Sequence, residues 1–313
     1  MNEPQKCLIL GPQRPDLYFG SAMRDHGLDT GPAAVISAGW QEAEGDIDIL
    51  RPQTSHPMID SGIDALSSQL LAAEPAMHRA YRERQERLAE LQALYRQRLR
   101  QHSIAVRRTL SAEGSPAVIA PERRHAVSQL RALDRHHQRQ IDKAHLRFDT
   151  EFNVETNPRL AELTHAVHDM FAQVDTLIVT GGNLLVLLNR LRLFGLGDVL
   201  RKKHIVAWSA GAMLLGDRVV LFHERMPQGL RDAEVIDRGF EFLPKTIVMP
   251  DAKNRLRTGQ EIRMSALSRR FAPSTCCLLD NKSSALFSDG QLVKTVSAKY
   301  PTLNGRLKPM LAS

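Results

Sequence analysis

The arrangement most suggestive of chemistry in this chain surrounds Ser209, within Ala207-Trp208-Ser209-Ala210-Gly211-Ala212. An apolar run over residues 204–208 ends there, one polar residue stands at the junction, and small residues lead into a helical pattern. This is the layout of a nucleophile elbow, usually written G-x-S-x-G, with Ala207 in place of the first glycine. Small neighbours are needed because strand and helix backbones pass closely at so sharp a bend. The bend would lift the serine hydroxyl above the C-terminal edge of a sheet. It would also aim the amide N–H of Ala210 at a substrate carbonyl. The same string equally suits a serine N-cap in a small-residue packing turn. A second piece, Gly181-Gly182-Asn183, follows the apolar run over residues 174–180. Open α/β sheets bind ligands at such carboxyl ends of strands. Gly182 could place a second N–H beside that of Ala210 to form an oxyanion hole, where one donor is worth about 10²- to 10³-fold in rate. Read alone, two glycines after a strand also describe an ordinary loop.

Three regions must position these residues. In the first, residues 7–10 read as a strand, residues 19–26 as a helix and residues 33–37 as a second buried strand, the alternation of an open α/β sheet. In the third, Pro158 opens a helix bearing Leu160, Leu163, Val167 and Met170, and strands follow at residues 174–180 and 204–208. Shorter strands are expected at residues 246–249, 277–279 and 285–287, with a tight turn at Asp289-Gly290. The middle region differs. Met77, Tyr81, Leu88, Leu91, Tyr95 and Leu99 trace one helical stripe after Pro75. Gly114-Ser115-Pro116 breaks it, and Pro121 is expected to open a second long helix carrying Val127, Leu130, Leu133, His137, Ile141 and Phe148. Narrow stripes on long helices need a partner surface: each other, the α/β body or a second subunit. The expected organisation is an α/β domain of residues 1–62 and 153–313 with a helical hairpin, residues 63–152, inserted in it. Homodimerisation is the hairpin's expected use.

Composition excludes several classes. With 313 residues, 42% hydrophobic and 25% charged, the chain is no collagen, disordered tail or disulfide scaffold. Three cysteines, two of them adjacent (Cys276, Cys277), offer neither metal spacing nor a disulfide framework, so a reducing compartment is expected. The N-terminal apolar run is too short for a signal peptide and no stretch approaches membrane-spanning length. A cytoplasmic protein without metal or cofactor is the expectation, with no membrane partner. Lysine and arginine exceed aspartate and glutamate by 42 − 35 = 7. The excess lies between Pro75 and Thr150, where 16 basic residues face 8 acidic ones. Glu83, Glu86, Glu90, Asp134 and Asp142 interrupt the positives, which suits a solvated helical face better than a nucleic-acid site. Aromatic interleaving and a known reading motif are also missing, so nucleic acid is not an expected partner.

The string VDTLIVTGGNLLVLLNRLRLFGL, followed by VAWSAGAMLL, resembles the dipeptidase E and cyanophycinase family of serine peptidases. The resemblance spans roughly residues 174–293, with a weaker echo over residues 6–37. It implies a class I glutamine amidotransferase-like fold, an open, mostly parallel sheet flanked by helices, with serine where the amidotransferases carry cysteine. It further implies hydrolysis of peptide bonds next to aspartyl groups, through an acyl-enzyme on Ser209. In the family a histidine follows a segment of the form G-x-x-x-L-P. Here Gly239-Phe240-Glu241-Phe242-Leu243-Pro244 leads to Met249-Pro250-Asp251, so the expected histidine is Asp251. A serine hydroxyl needs a base poised near neutral pH, and aspartate, with a reference pKa of about 4, is a weak replacement unless burial raises it. The family's acidic member falls near Asp280. His223, the nearest histidine after the elbow, could be a relocated base oriented by Glu224 or Asp280, or a surface histidine among charges. Arg255 and Arg257 could each hold a substrate carboxylate by a bidentate contact, or lie on the surface. Asn183 is a third candidate substrate contact.

The expected function is therefore a serine-type hydrolase, a peptidase or amidohydrolase acting on a small peptide or amide, with Gly182 and Ala210 as oxyanion donors. The base stays open between His223 and Asp251. The missing histidine motivates an alternative: a catalytically impaired member, or pseudoenzyme, whose elbow and Gly-Gly turn cradle a small anionic or peptide ligand while the hairpin serves as an interaction module. Amidotransferase chemistry is not expected, because it wants a thiolate at the elbow and Cys276 and Cys277 lie in an apolar strand.

Overall fold

The apolar runs KCLIL, AAVI, TLIV and HIVAW are buried almost throughout, which marks strands covered on both faces. The computed structural model describes residues 4–224 and 231–312. In chain order the elements are β1 (Lys6–Leu10), α1 (Phe19–Asp25), β2 (Ala33–Ile36), β3 (Met58–Asp60), α2 (Ile63–Ala73), α3 (Pro75–Ser111), α4 (Pro116–Glu151) and α5 (Pro158–Ala172). There follow β4 (Thr176–Val179), α6 (Leu184–Leu193), α7 (Gly197–Leu200), β5 (His204–Trp208), α8 (Ala210–Leu214), β6 (Arg218–His223) and β7 (Arg231–Arg238). The chain continues through β8 (Thr246–Pro250), α9 (Ala252–Arg255), α10 (Glu261–Phe271), β9 (Thr275–Leu279), β10 (Ser284–Ser288), β11 (Gln291–Val296), β12 (Lys299–Pro301) and β13 (Leu307–Pro309).

The main sheet has seven strands in the order β11-β10-β1-β5-β4-β2-β3. Its five strands from β1 to β3 are parallel, and β10 and β11 close one side antiparallel. Alternate residues face opposite sides of a strand. Leu8, Leu10, Val35, Ile178 and Val206 accordingly join Phe19 and Met23 of α1 in one core, while Ile9, Ile36, Leu177, Val179 and Ile205 join α5 and α6 in the other. This is the expected open, mostly parallel sheet flanked by helices. The strands at residues 246–249 and 277–279 do not extend it. β8 and β9 pair in parallel inside a second sheet of order β13-β12-β9-β8, and β6 with β7 forms a separate ribbon.

The helical hairpin is α3 and α4. Its second helix begins at Pro116, not at Pro121, which lies inside the helix. Ser115 at the cap and Pro116 in the first turn suffice to start it. Pro121 forfeits a single intrahelical bond, close enough to the helix start to be tolerated. Arg123 of α4 donates to the carbonyls of Thr109 and Ala112 (3.3 and 2.9 Å), capping the end of α3. The stripes pack on each other and on β7 and α10, so they need no second subunit to be covered.

Most basic residues of the block are exposed, the solvated face expected of them, while a few polar side chains of the segment turn inward. Arg84, Asp134, His137 and His145 are buried. Asp134 accepts from Tyr95 (2.8 Å) and from Nε and Nη2 of Arg270 (2.7 and 2.8 Å). Burial opposes the charge on Arg270, but Asp134 and Tyr95 overcompensate and its pKa is raised. The Tyr95 ring stacks on His137 with centroids 3.9 Å apart. Gln92 donates to Glu234 (2.9 Å), so its carbonyl oxygen must accept from Nε2 of His137 (2.9 Å), which fixes that ring's tautomer. Burial pushes the His137 pKa down to about 4. Asp237 accepts from His145 (2.8 Å) and Arg192 (2.9 Å). Charged groups buried with partners thus fasten the hairpin to the body. Among the described residues no helix is long and apolar enough to cross a membrane.

Candidate active site

Ser209 links β5 to α8 with φ 50° and ψ −122°. A side chain in such a sparsely populated region costs about 1–3 kcal/mol, and persists only where the surroundings over-determine it. Here β5 is held between β1 and β4, and Ala212 and Leu214 of α8 are fully buried. Gly211 is required for this approach, since a Cβ there would lie 2.3 Å from the carbonyl oxygen of Val179. Ser209 stands at the N-cap position of α8, but its side chain makes no capping bond, so capping does not account for the hydroxyl. It is half-buried, and among the described residues its hydroxyl has no hydrogen-bond partner.

Gly181 runs against the elbow: a Cβ built on it would stand 2.9 Å from Ser209 Cβ. Gly182 has φ 118°, and its Cβ would meet the Gly39 carbonyl oxygen at 2.3 Å, so neither the conformation nor the space admits a side chain. Among the described residues, neither the Gly182 N–H nor the Ala210 N–H is taken by a carbonyl or a side chain. Asn183 is a helix cap. Its Oδ1 accepts from the N–H groups of Leu185 and Val186 (3.1 and 3.2 Å), and its own N–H donates to Gly39 (2.6 Å).

A second group gathers where β8 and β9 end side by side. Asp251, left-handed at φ 60° and ψ 37°, follows β8, and Asp280 follows β9. Asp251 accepts from Asn254 Nδ2 (2.8 Å) and Arg255 Nε (3.4 Å), while Asp280 accepts from the Lys253 N–H (2.7 Å). Gly11 lies between this pair and the elbow. A Cβ on it would sit 1.9 Å from the Asp280 carbonyl oxygen, and it directly follows β1, whose Leu10 lies opposite Trp208. The structure therefore places Ser209, Gly182 and Ala210 together, and Asp251 with Asp280 together, along carboxyl ends of strands.

The remaining candidates are differently engaged. His223 ends β6 opposite Arg231, and burial, Arg255 and Arg231 all lower its pKa. Glu224 does not orient it: its carboxylate takes the Arg257 N–H (3.1 Å) and pairs with Arg263 (3.5 Å). Arg257 Nε donates to the Glu224 carbonyl (3.2 Å) and Arg255 pairs with Asp251, so both arginines brace the 251–257 turn. Among the described residues no histidine is hydrogen-bonded to Ser209. Cys276 and Cys277 are buried, and burial pushes both thiols up to about 12, far from a reactive thiolate. Among the described residues no group of three or more His, Cys, Asp or Glu side chains could hold a metal.

Sequence reasoning missed the segment that covers the Gly-Gly turn. Gly39, Trp40 and Gln41 lie in a short 3₁₀ stretch, Ala38–Ala43, after β2. Gln41 has φ 57° and ψ −117° without being glycine, and its Oε1 accepts from Asn183 Nδ2 (3.4 Å). No residue type in that stretch signals such a conformation.

A family model described as peptidase family S51 matches residues 134–295, just over half of the chain and inclusive of Gly182, Ser209, Asp251 and Asp280. No curated protein sequence matches the chain. Among solved structures, the crystal structure of a peptidase from an acI-B1 Actinobacterium is similar over 99% of this chain and 95% of that one, with 11% identity and a TM-score of 0.44.

Proposed function

This chain belongs to peptidase family S51, and from that membership we propose that it is a serine-type hydrolase forming an acyl-enzyme on Ser209. The observation that carries the proposal is a strained, half-buried serine whose hydroxyl, like two main-chain amides beside it, is unengaged among the described residues. In this reading Ser209 Oγ attacks the carbonyl carbon of a peptide or amide bond. The developing oxyanion is met by the N–H groups of Ala210 and Gly182, which need no reorganisation because the sheet already fixes them. Collapse expels the amine, and water then releases the acyl group. The proton leaving Ser209 has two candidate acceptors. Asp251 stands where the family places histidine, beside Asp280. His223 is the alternative, held neutral by burial and by the arginines around it. Arg255 and Arg257, through the turn they brace, would shape the same side of the site.

A second reading is favoured by one observation: both carboxylate oxygens of Asp251 already accept hydrogen bonds. A base so engaged is poorly placed to take a proton. The chain would then be an impaired member whose elbow and Gly-Gly turn hold a small anionic or peptide ligand. A fluorophosphonate probe separates the two. The hydrolase reading expects labelling of the wild type and none of Ser209→Ala. A folded wild type that resists the probe at every pH would leave only the cradle.

A further inference from the structure

Between the hairpin and the body lies a cavity of about 500 Å³ that none of Ser209, Gly182, Ala210 or Asp251 lines. Five arginines face it: Arg96, Arg100 and Arg107 of α3, Arg231 at the start of β7, and Arg263 of α10. Three carboxylates share the lining, and each is already committed. Glu234 accepts from Arg96 Nε (2.9 Å) and Gln92 Nε2 (2.9 Å). Asp232 accepts from Arg107. Glu224 pairs with Arg263 (3.5 Å) and accepts from the Arg257 N–H (3.1 Å). Arg100 and Arg231 are exposed and, among the described residues, have no acceptor.

Five cations against three anions leave a surplus of two positive charges around one enclosed space. Arginine does not deprotonate in proteins, so the surplus persists at every working pH and only a group from outside can neutralise it. A cleft lined by one excess sign focuses its potential on the space inside. The charge is also spread out: from Arg96 to Arg107 the helix rises about 16 Å. A single carboxylate or phosphate cannot answer a stripe of that length. The volume falls within the range of about 300–1,000 Å³ usual for small-molecule sites. Guanidinium groups suit oxyanions because their fork of N–H groups can meet two oxygens at once.

We propose that this cavity binds a small polyanion, a molecule carrying at least two phosphoryl or carboxylate groups. Arg100 and Arg231 make the new contacts, and the three committed pairs hold the walls in place. The site is separate from the elbow, and it stands whether or not Ser209 reacts.

Calorimetric titration of the whole chain at low ionic strength, with inorganic tripolyphosphate, citrate and acetate, tests this. Tripolyphosphate or citrate should bind at one site, at least about tenfold more tightly than acetate. The tighter of the two identifies the ligand groups as phosphoryl or carboxylate. Arg100→Ala and Arg231→Ala should each weaken that binding about tenfold, the scale of one hydrogen bond between charged groups, and the double variant should abolish it. Both side chains are exposed and unpaired among the described residues, so the variants lose no buried contact. Arg98→Ala with Arg108→Ala takes the same charge from exposed positions of α3 outside the cavity, and should leave binding unchanged. Ser209→Ala should bind as the wild type does. Binding that survives loss of both Arg100 and Arg231 overturns the proposal, as does binding that the Arg98 and Arg108 pair weakens equally. A wild type that takes up neither polyanion overturns it too. So does binding abolished by Ser209→Ala, which would put the anion at the elbow.

Discussion

The carboxyl edge around Ser209 and the seam beneath the hairpin divide the features that usually mark a functional site. The seam holds the strongly shifted side chains of Tyr95, His137 and Arg270 and borders a cavity of about 500 Å³ lined by Arg96, Arg107, Glu224 and Arg263. Shifted ionisable groups beside a cavity are an ordinary signature of chemistry. Yet the seam's carboxylates are used up: Asp134, Glu234 and Asp237 each accept from at least two neighbours. The edge is the reverse. Its chief features are backbone ones, two strained non-glycine residues and, among the described residues, two amides without acceptors and an unengaged hydroxyl. A shifted side chain whose partners are all internal reports on folding. A strained residue with an open hydrogen-bonding capacity reports on what is missing from the site.

If that division is real, variants at the edge should change reactivity with little change in stability, and variants at the seam should do the opposite. The largest effect is expected from Asp251→His. It puts an imidazole where the proposed mechanism wants one, beside Asp280, which could orient it. General-base assistance is worth about 10²–10⁴-fold, so the rate of fluorophosphonate labelling at Ser209 should rise on that scale. Melting should move little, because Asp251 contributes only half-exposed bonds to Asn254 and Arg255. A labelling rate unchanged by the histidine would mean that the β8–β9 corner does not serve the elbow, and would move the weight to His223.

The same division explains what was legible in the sequence. The elbow was readable because its geometry is local: a strand end, one polar residue and Gly211, whose Cβ would strike Val179. Gly182 was readable for the same reason. The fold class followed from buried runs that alternate with helical stripes. Gln41 was invisible because its conformation is imposed by Gly182 and Asn183, far away in the chain, and glutamine itself has no preference for positive φ. The burial of Asp134 and His145 was not legible in the basic block because their partners come from elsewhere in the chain. Arg270 reaches Asp134 from α10, and Asp237 reaches His145 from β7. Pro121 misled for a third reason: proline is enriched at helix starts, but Pro116 had already taken that place. The proposed replacement of a histidine by Asp251 rests only on the family resemblance, since nothing in its own neighbours asks for histidine.

At the seam the largest expected change is in stability. Asp134→Ala leaves Arg270, fully enclosed, without its counter-charge, and breaking a buried pair from one side costs about 3–5 kcal/mol. Denaturant titration should show that loss. Labelling of Ser209, measured well below the melting transition, should keep its wild-type rate. Replacing both partners, Asp134→Leu with Arg270→Met, should recover much of the stability, because no lone charge is then left buried. If Asp134→Ala slowed labelling as much as it lowered stability, the seam would be part of the reacting apparatus and the contrast would fail.

The smallest effect is the most specific, because it has a sign as well as a size. His137 has its pKa pushed down to about 4 by burial, against an ordinary 6.5. The unfolded chain therefore takes up this proton first as pH falls. The stability associated with the neutral ring is fully present above about pH 6.5 and is lost progressively down to about pH 4. A shift of that size, reduced for partial solvent screening, corresponds to about 1–3 kcal/mol. His137→Gln keeps an N–H donor for Gln92 but cannot titrate. Unfolding free energies of the two proteins should therefore converge in acid and diverge toward neutrality, the variant showing the flatter profile. The sign matters because protonation would charge a buried ring stacked on Tyr95, at the contact between α3 and α4. Acid should loosen the hairpin from β7 before it disturbs the backbone amides at Ser209, so hydrogen exchange at low pH should rise in α3 and α4 ahead of β4 and β5. Equal rises in all four would show that the seam and the edge unfold as one unit.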